Sequence, residues 1–133
     1  MTPDEITKLK KFLRGKFELP ELDVRKRMQR KGLAEVFIGE EQVGQIEKDE
    51  EDGELSYSFS MDIDNPPADV TKMAPRLREI FGLETIQVKG RARKTDSAEV
   101  FIADEFIGLV YRDTEDGEVR CNFTMSILDF DLE

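Results

Sequence analysis

Residues 34–54 read AEVFIGEEQVGQIEKDEEDGE, and residues 98–118 read AEVFIADEFIGLVYRDTEDGE. The two stretches are 64 positions apart. At that offset Ala34–Asp64 aligns with Ala98–Leu128 without a gap, and 15 of 31 positions are identical. Upstream the apolar frame persists. Leu9, Leu13, Phe17, Leu19, Leu22 and Val24 meet Met73, Leu77, Phe81, Leu83, Ile86 and Val88. A fixed period held this long is the signature of internal repetition. The chain therefore divides into a first repeat, 1–64, and a second, 65–133.

The two copies supply two samples of one pattern. In the first, Thr2 is placed to cap a helix, Pro3 suits the first helical position, and Glu5 completes a capping box. Ile6, Leu9, Phe12, Leu13 and Phe17 then fall at helical spacing. Pro20 forbids continuation. In the second copy Asn65, Pro66 and Pro67 read as a linker. The helical pattern is carried by Val70, Met73, Leu77, Ile80 and Phe81 and ends at Gly82. Pro75 within it predicts a kink or a late start near Met73–Pro75.

Four strand-like segments follow each helix. In the first copy they are Leu22–Met28, Ala34–Ile38, Val43–Asp49 and Leu55–Ile63. The last alternates Leu55, Tyr57, Phe59, Met61 and Ile63 inward with Ser56, Ser58, Ser60 and Asp62 outward. Val119, Cys121, Phe123, Met125 and Ile127 repeat it. Such alternation marks an antiparallel strand with one wet face. Asp52-Gly53 and Asp116-Gly117 are hairpin dipeptides. The predicted fold is α+β: two tandem α-β-β-β-β repeats, each a helix on a four-stranded antiparallel meander, related by an approximate two-fold.

The second copy resembles a family of short bacterial proteins about one repeat long, domain of unknown function family 3126. The segments that carry the likeness are DSAEVFIADEFIGLVYRD and the ending MSILDFDLE. The first copy departs from it, with KGLAEVFIGEEQVGQIEKD, Gln42 in the place of Phe106, and a linker after its last strand. The resemblance implies a fused pair of such units and brings no catalytic residue with it.

Composition narrows the chemistry. The net charge is -10, with no histidine and one cysteine in 133 residues. Histidine is the commonest general base and metal ligand, so its absence argues against an enzyme and against a zinc site. Neither a cofactor nor a metal is expected. Gly39-x-x-x-x-Gly44 lacks the lysine of a phosphate loop. DEEDGE and DTEDGE invite a calcium reading, but Lys48 and Arg112 stand where that motif needs an acid; they read instead as acidic hairpin tips. No apolar run approaches the ~20 residues of a membrane span, and the first residues lack the apolar centre of a secretion signal. With a lone Cys121, expected to be a buried core residue, the default compartment is the cytoplasm.

Charge is sorted within each copy. Residues 8–31 carry ten basic and three acidic groups, and residues 32–64 carry one and eleven. The basic segments offer Arg25, Arg27, Arg30, Lys89, Arg91 and Arg93 to phosphates, which makes a nucleic-acid binder the second hypothesis. No aromatic residue is interleaved with them in sequence, and the acidic remainder repels a polyanion.

The sharpest difference between the copies lies in the third strand. Gln42, Gln45 and Glu47 of the first copy become Phe106, Leu109 and Tyr111 in the second. The strand then reads as apolar on both sides, with Phe106 and Val110 one way and Ile107, Leu109 and Tyr111 the other. The last residues add Leu128, Phe130 and Leu132, which either cover the Leu109–Tyr111 face or join it. The leading expectation is a non-catalytic interaction module, an adaptor or assembly factor. Its contact residues are Phe106, Leu109, Tyr111, Leu128, Phe130 and Leu132, and its partner is another protein or a second copy of itself, not a membrane.

Overall fold

The computed structural model describes residues 1–27, 32–50, 53–63, 67, 69–91, 94–115 and 118–132. Among them lie two α-helices and eight strands. They are α1 (Pro3–Lys16), β1 (Leu22–Lys26), β2 (Leu33–Ile38), β3 (Glu41–Asp49), β4 (Ser56–Ile63), α2 (Ala74–Phe81), β5 (Ile86–Arg91), β6 (Lys94–Ile102), β7 (Glu105–Glu115) and β8 (Glu118–Leu128). Two compact units result. One comprises Met1–Ser60 together with Ser126–Glu133; the other is Met61–Met125.

In the first unit α1 opens with the expected capping box. The Glu5 amide donates to Thr2 Oγ1 at 3.2 Å, and the Thr2 amide donates to Glu5 Oε1 at 3.0 Å. The strands follow in the order β1-β2-β3-β4, each antiparallel to the next. Leu9, Leu13 and Phe17 are fully buried with Leu22, Val24, Ala34, Val36, Ile46, Tyr57 and Phe59. Each of the larger aliphatic and Phe side chains contributes roughly 1.5–3 kcal/mol by leaving water. Ile6 and Phe12, expected on the same buried face, are only half-buried. At 100° per residue they fall at the margins of the Leu9–Leu13 stripe. A polar tie complements the packing: Arg14 Nε donates to the Leu22 carbonyl at 2.6 Å.

The second unit repeats this plan. A 3₁₀ turn, Val70–Lys72, precedes α2. Pro75 sits in the first turn of α2, so the proline delays the helix instead of kinking it. A proline N–H is not needed there. The strands run β8-β7-β6-β5 in space. Val70, Met73, Leu77 and Phe81 pack with Ile86, Ala98, Val100, Val110, Cys121, Phe123 and Met125. Arg78 Nε donates to the Ile86 carbonyl at 2.8 Å, the counterpart of Arg14.

Both units carry the same irregularity. The β2–β3 register shifts between Val36 and Phe37, and the β6–β7 register shifts between Val100 and Phe101. In the second unit Val100 faces Gly108 while Phe101 faces Phe106, which leaves Ile107 as the extra residue of a bulge. A Cβ on Gly108 would stand 2.2 Å from the Thr124 carbonyl oxygen, so only glycine fits this approach.

Candidate interaction surface

The bulge decides what β7 shows to solvent. Strict alternation puts Phe106 with Val110. The structure corrects this: Ile107, Gly108 and Val110 are buried, and Phe106 pairs with the outward Phe101. The extra residue turns Phe106 to the same face as Leu109 and Tyr111. That face is the one away from α2. Phe106 is 51% and Tyr111 40% exposed, and Leu109 is half-buried. Cross-strand rows on it run Lys89–Glu99–Leu109–Thr124 and Gln87–Phe101–Phe106, with Tyr111 between Ser97 and Asn122. The Phe101 and Phe106 rings meet edge to face, 5.8 Å between centroids. Edge-to-face pairs of this kind hold an exposed aromatic in place.

The corresponding face of the first unit is polar. Its rows are Arg25–Glu35–Gln45–Ser60, Asp23–Phe37–Gln42 and Leu33–Glu47–Ser58. Gln42, Gln45 and Glu47 are exposed at the places of Phe106, Leu109 and Tyr111. One backbone thus presents a wet face in one copy and an apolar one in the other.

The tail packs within the first unit. Residues 129–132 form a 3₁₀ turn that belongs to the first unit and packs on α1. The Leu128 amide donates to Asp131 Oδ2 at 3.0 Å, which closes the turn. Leu132 is half-buried beside Phe12, while Leu128 and Phe130 are 42% and 66% exposed. The six expected contact residues therefore fall into two groups: three on the second unit's sheet, and three in the first unit, Leu128 at the end of β8 with Phe130 and Leu132 in the closing turn.

The basic candidates also divide. Arg25 is exposed on β1, its guanidinium 4.1 Å from the Phe37 ring centroid and paired to Asp23 at 3.0 Å. Lys89, its counterpart, lies 4.6 Å from the Phe101 centroid. Each cation sits on an aromatic ring from the neighbouring strand, a juxtaposition that linear sequence does not display. Arg27 is exposed just after β1, and Arg91 donates to Ser97 Oγ at 3.3 Å. Arg30 and Arg93 lie outside the described residues, as do Asp52, Asp116 and Gly117 of the hairpin tips.

Sequence reasoning missed one cluster in the first unit. The Tyr57 hydroxyl donates to Glu5 Oε2 at 2.5 Å, and Lys48 Nζ lies 2.9 Å from that oxygen and 3.1 Å from Glu50. Burial alone pushes the Glu5 carboxyl up. The hydrogen bonds from Tyr57, the Thr2 amide and Lys48 outweigh it and hold Glu5 down at about 2. The Tyr57 hydroxyl is pushed well above its ordinary value, by burial first and then by Glu5. An ionised carboxylate with this many donors has no proton to give at neutral pH, so the cluster is a staple between α1 and the sheet. The equivalent positions in the second copy are Asp69, Arg112 and Cys121. There Asp69 caps the 3₁₀ turn by accepting from the Thr71 amide at 3.0 Å, and Cys121 is buried, its thiol pushed up by burial.

What the geometry defines is a tandem pair of helix-backed antiparallel meanders with one apolar and one polar outer sheet face. A family model for a protein of unknown function, DUF3126, matches it twice, over residues 5–66 and 69–131, and the chain belongs to that family. No curated protein and no solved structure matches it. Among the described residues no helix is long and apolar enough to cross a membrane.

Proposed function

We propose that this chain is a non-catalytic protein-interaction module, an adaptor or assembly factor, that engages another protein or a second copy of itself. The contact is the outer face of the second unit's sheet, through Phe106, Leu109 and Tyr111. The observation that carries the reading is the divergence of the copies. At three positions on one backbone frame, a polar set became aromatic and aliphatic without moving into the core. Exposed aromatics pinned by neighbours are the residue type that dominates interface energetics. Leu128 and Phe130 offer a separate, smaller apolar contact on the first unit.

The test is a transplant of the first copy's residues, Leu109→Gln with Tyr111→Glu. The variant should melt like the parent, because its side chains stand where Gln45 and Glu47 already stand. It should lose the partners captured in pull-downs and any self-association seen by sedimentation. Unfolding of the variant, or unchanged capture, would refute the proposal.

A second reading rests on the stacked cations. Arg25 over Phe37 and Lys89 over Phe101 put a positive charge and a π-face at one point, the combination that holds single-stranded nucleic acid. Binding of an oligonucleotide should then weaken steeply with salt and fall further on Lys89→Glu. No binding at low salt would end that reading.

A further inference from the structure

In the first unit Lys48 stands opposite Tyr57 across β3 and β4, and both meet the Glu5 carboxylate. Arg112 and Cys121 take those places on β7 and β8, again directly opposite one another. The groups around the cation have all changed. Glu5 gives way to Asp69, one methylene shorter, whose Oδ1 accepts from the Thr71 amide at 3.0 Å and from the Thr71 hydroxyl at 2.7 Å. Glu50 gives way to the uncharged Thr114, and the Tyr57 ring and hydroxyl to the small thiol of Cys121. Among the described residues no carboxylate pairs with Arg112. Its Nε is shut off from solvent and has no hydrogen-bond partner. The guanidinium is close enough to Cys121 to oppose the upward push that burial gives the thiol. Arg112 as a whole is half-buried, so solutes reach its side chain from outside.

An arginine cannot answer this environment by losing its proton, as a buried lysine can. A buried charged donor without a partner costs folding free energy, and a ligand that pairs with it recovers that cost. Nε and one Nη lie along one edge of the guanidinium, spaced to meet the two oxygens of a carboxylate. The first unit shows which group this place takes, because there it is filled by the carboxylate of Glu5. We infer that the Arg112–Cys121 site of the second unit binds a carboxylate supplied from outside the chain, held on the Arg112 edge as Glu5 is held by Lys48. The change from a phenol to a thiol takes a ring away from the position directly across the ladder, where the carbon chain of the ligand lies. The site is on the inward side of β7, the reverse of the face that carries Leu109 and Tyr111, so it does not rest on the contact proposed there.

The probe is acetate, exchanged for chloride at constant ionic strength against the full chain, with the Arg112 Nε–H resonance followed by proton–nitrogen NMR. A saturable downfield shift of that proton is expected with acetate, and none with acetamide, its neutral isostere. Acetate should also raise the melting temperature of the parent, and Arg112→Met should abolish that rise. Cys121→Tyr with Asp69→Glu rebuilds the first copy's set and should weaken acetate binding about tenfold, the worth of one charge-assisted hydrogen bond. Asp69→Glu alone gives a smaller loss in the same direction, and serves if the tyrosine overpacks the core. Leu109→Gln with Tyr111→Glu should leave acetate binding unchanged, so this site and the sheet face stand or fall separately. A blocked peptide with a single glutamate separates the two sources of a carboxylate. Tighter binding than acetate assigns the ligand to a protein partner, and equal or weaker binding assigns it to a small free acid. No saturable shift, an equal shift with acetamide, or unchanged affinity in the rebuilt variants would overturn the inference.

Discussion

Replacing Glu5 by glutamine tests whether the Glu5–Lys48–Tyr57 staple acts through charge. The Glu5 carboxyl lies at about 2 in the folded chain against an ordinary 4.5. At about 1.4 kcal/mol per pKa unit, that gap corresponds to at most about 3.5 kcal/mol of stability. The Glu5 side chain is 15% exposed, and water reaching the site brings the expected loss in Glu5→Gln at pH 7 to about 2 kcal/mol. The sign follows from linkage. A carboxyl depressed by folding stabilises the native state above its unfolded value and gives that up as pH falls through its folded value. The gap between parent and variant should therefore be full at pH 6–7, begin to shrink just below 5, and nearly close toward pH 2. Asp23 is also held at about 2, by Lys10 and Arg25. Both proteins retain it, so the difference isolates Glu5. The assay is urea unfolding of the two proteins across that range, with stabilities from linear extrapolation. A gap that stays constant with pH would show that Glu5 contributes by shape and packing, and the electrostatic argument would be wrong.

Two further outcomes follow from comparing the copies. Glu18 has φ 51° where its counterpart Gly82 has 62°, and Ala103 has φ 55° where Gly39 has 64°. Glu18→Gly and Ala103→Gly should each stabilise the chain by roughly 0.5–1 kcal/mol, since the left-handed region costs an L-residue about 1–2 kcal/mol and glycine returns part of that as unfolded-state entropy. Calorimetry should show melting raised by about 2–4 °C, and a fall at both sites would refute the strain assignment. By contrast, Gly108→Ala must push apart the Thr124 carbonyl and β7. It should cost more than about 2 kcal/mol; an unchanged melting temperature would mean that the bulge is not fixed by this glycine.

Most of the fold was legible because duplication showed each element twice. The four-strand meander and the buried Tyr57–Ile63 alternation rest on local patterns that recur 64 residues later, while the capping box of α1 and the late start of α2 beside Pro75 are signals particular to one copy. The bulge was not legible as such, because a period-two reading assumes that every residue turns the chain by the same step. Phe106 was consequently set on the wrong side, although Gly44 and Gly108, at one place in both copies, were the available sign of a break in the strand. The Glu5 staple joins residues 43 and 52 positions apart, and nothing local announces such a meeting. Arg14 and Arg78 could have been found: a basic residue kept at one helical position in both copies, with a carbonyl at Leu22 or Ile86 as its partner, is a tertiary contact repeated. The stacking of Arg25 and Lys89 on Phe37 and Phe101 depends on strand pairing, which periodicity alone does not specify.

The placement of Ser126–Glu133 in the same unit as α1 bears on how the protein is made. At a synthesis rate of roughly 5–20 residues per second, α1 exists for about ten seconds before the turn that packs on it has been polymerised. During that interval Phe12 and the lysines beside it have no tail against them. A chain cut at the linker between the repeats would leave the first half in that condition permanently. The segment that evolution copied and the segment that packs together are thus different lengths of the same polypeptide, and half a gene would not yield half a molecule.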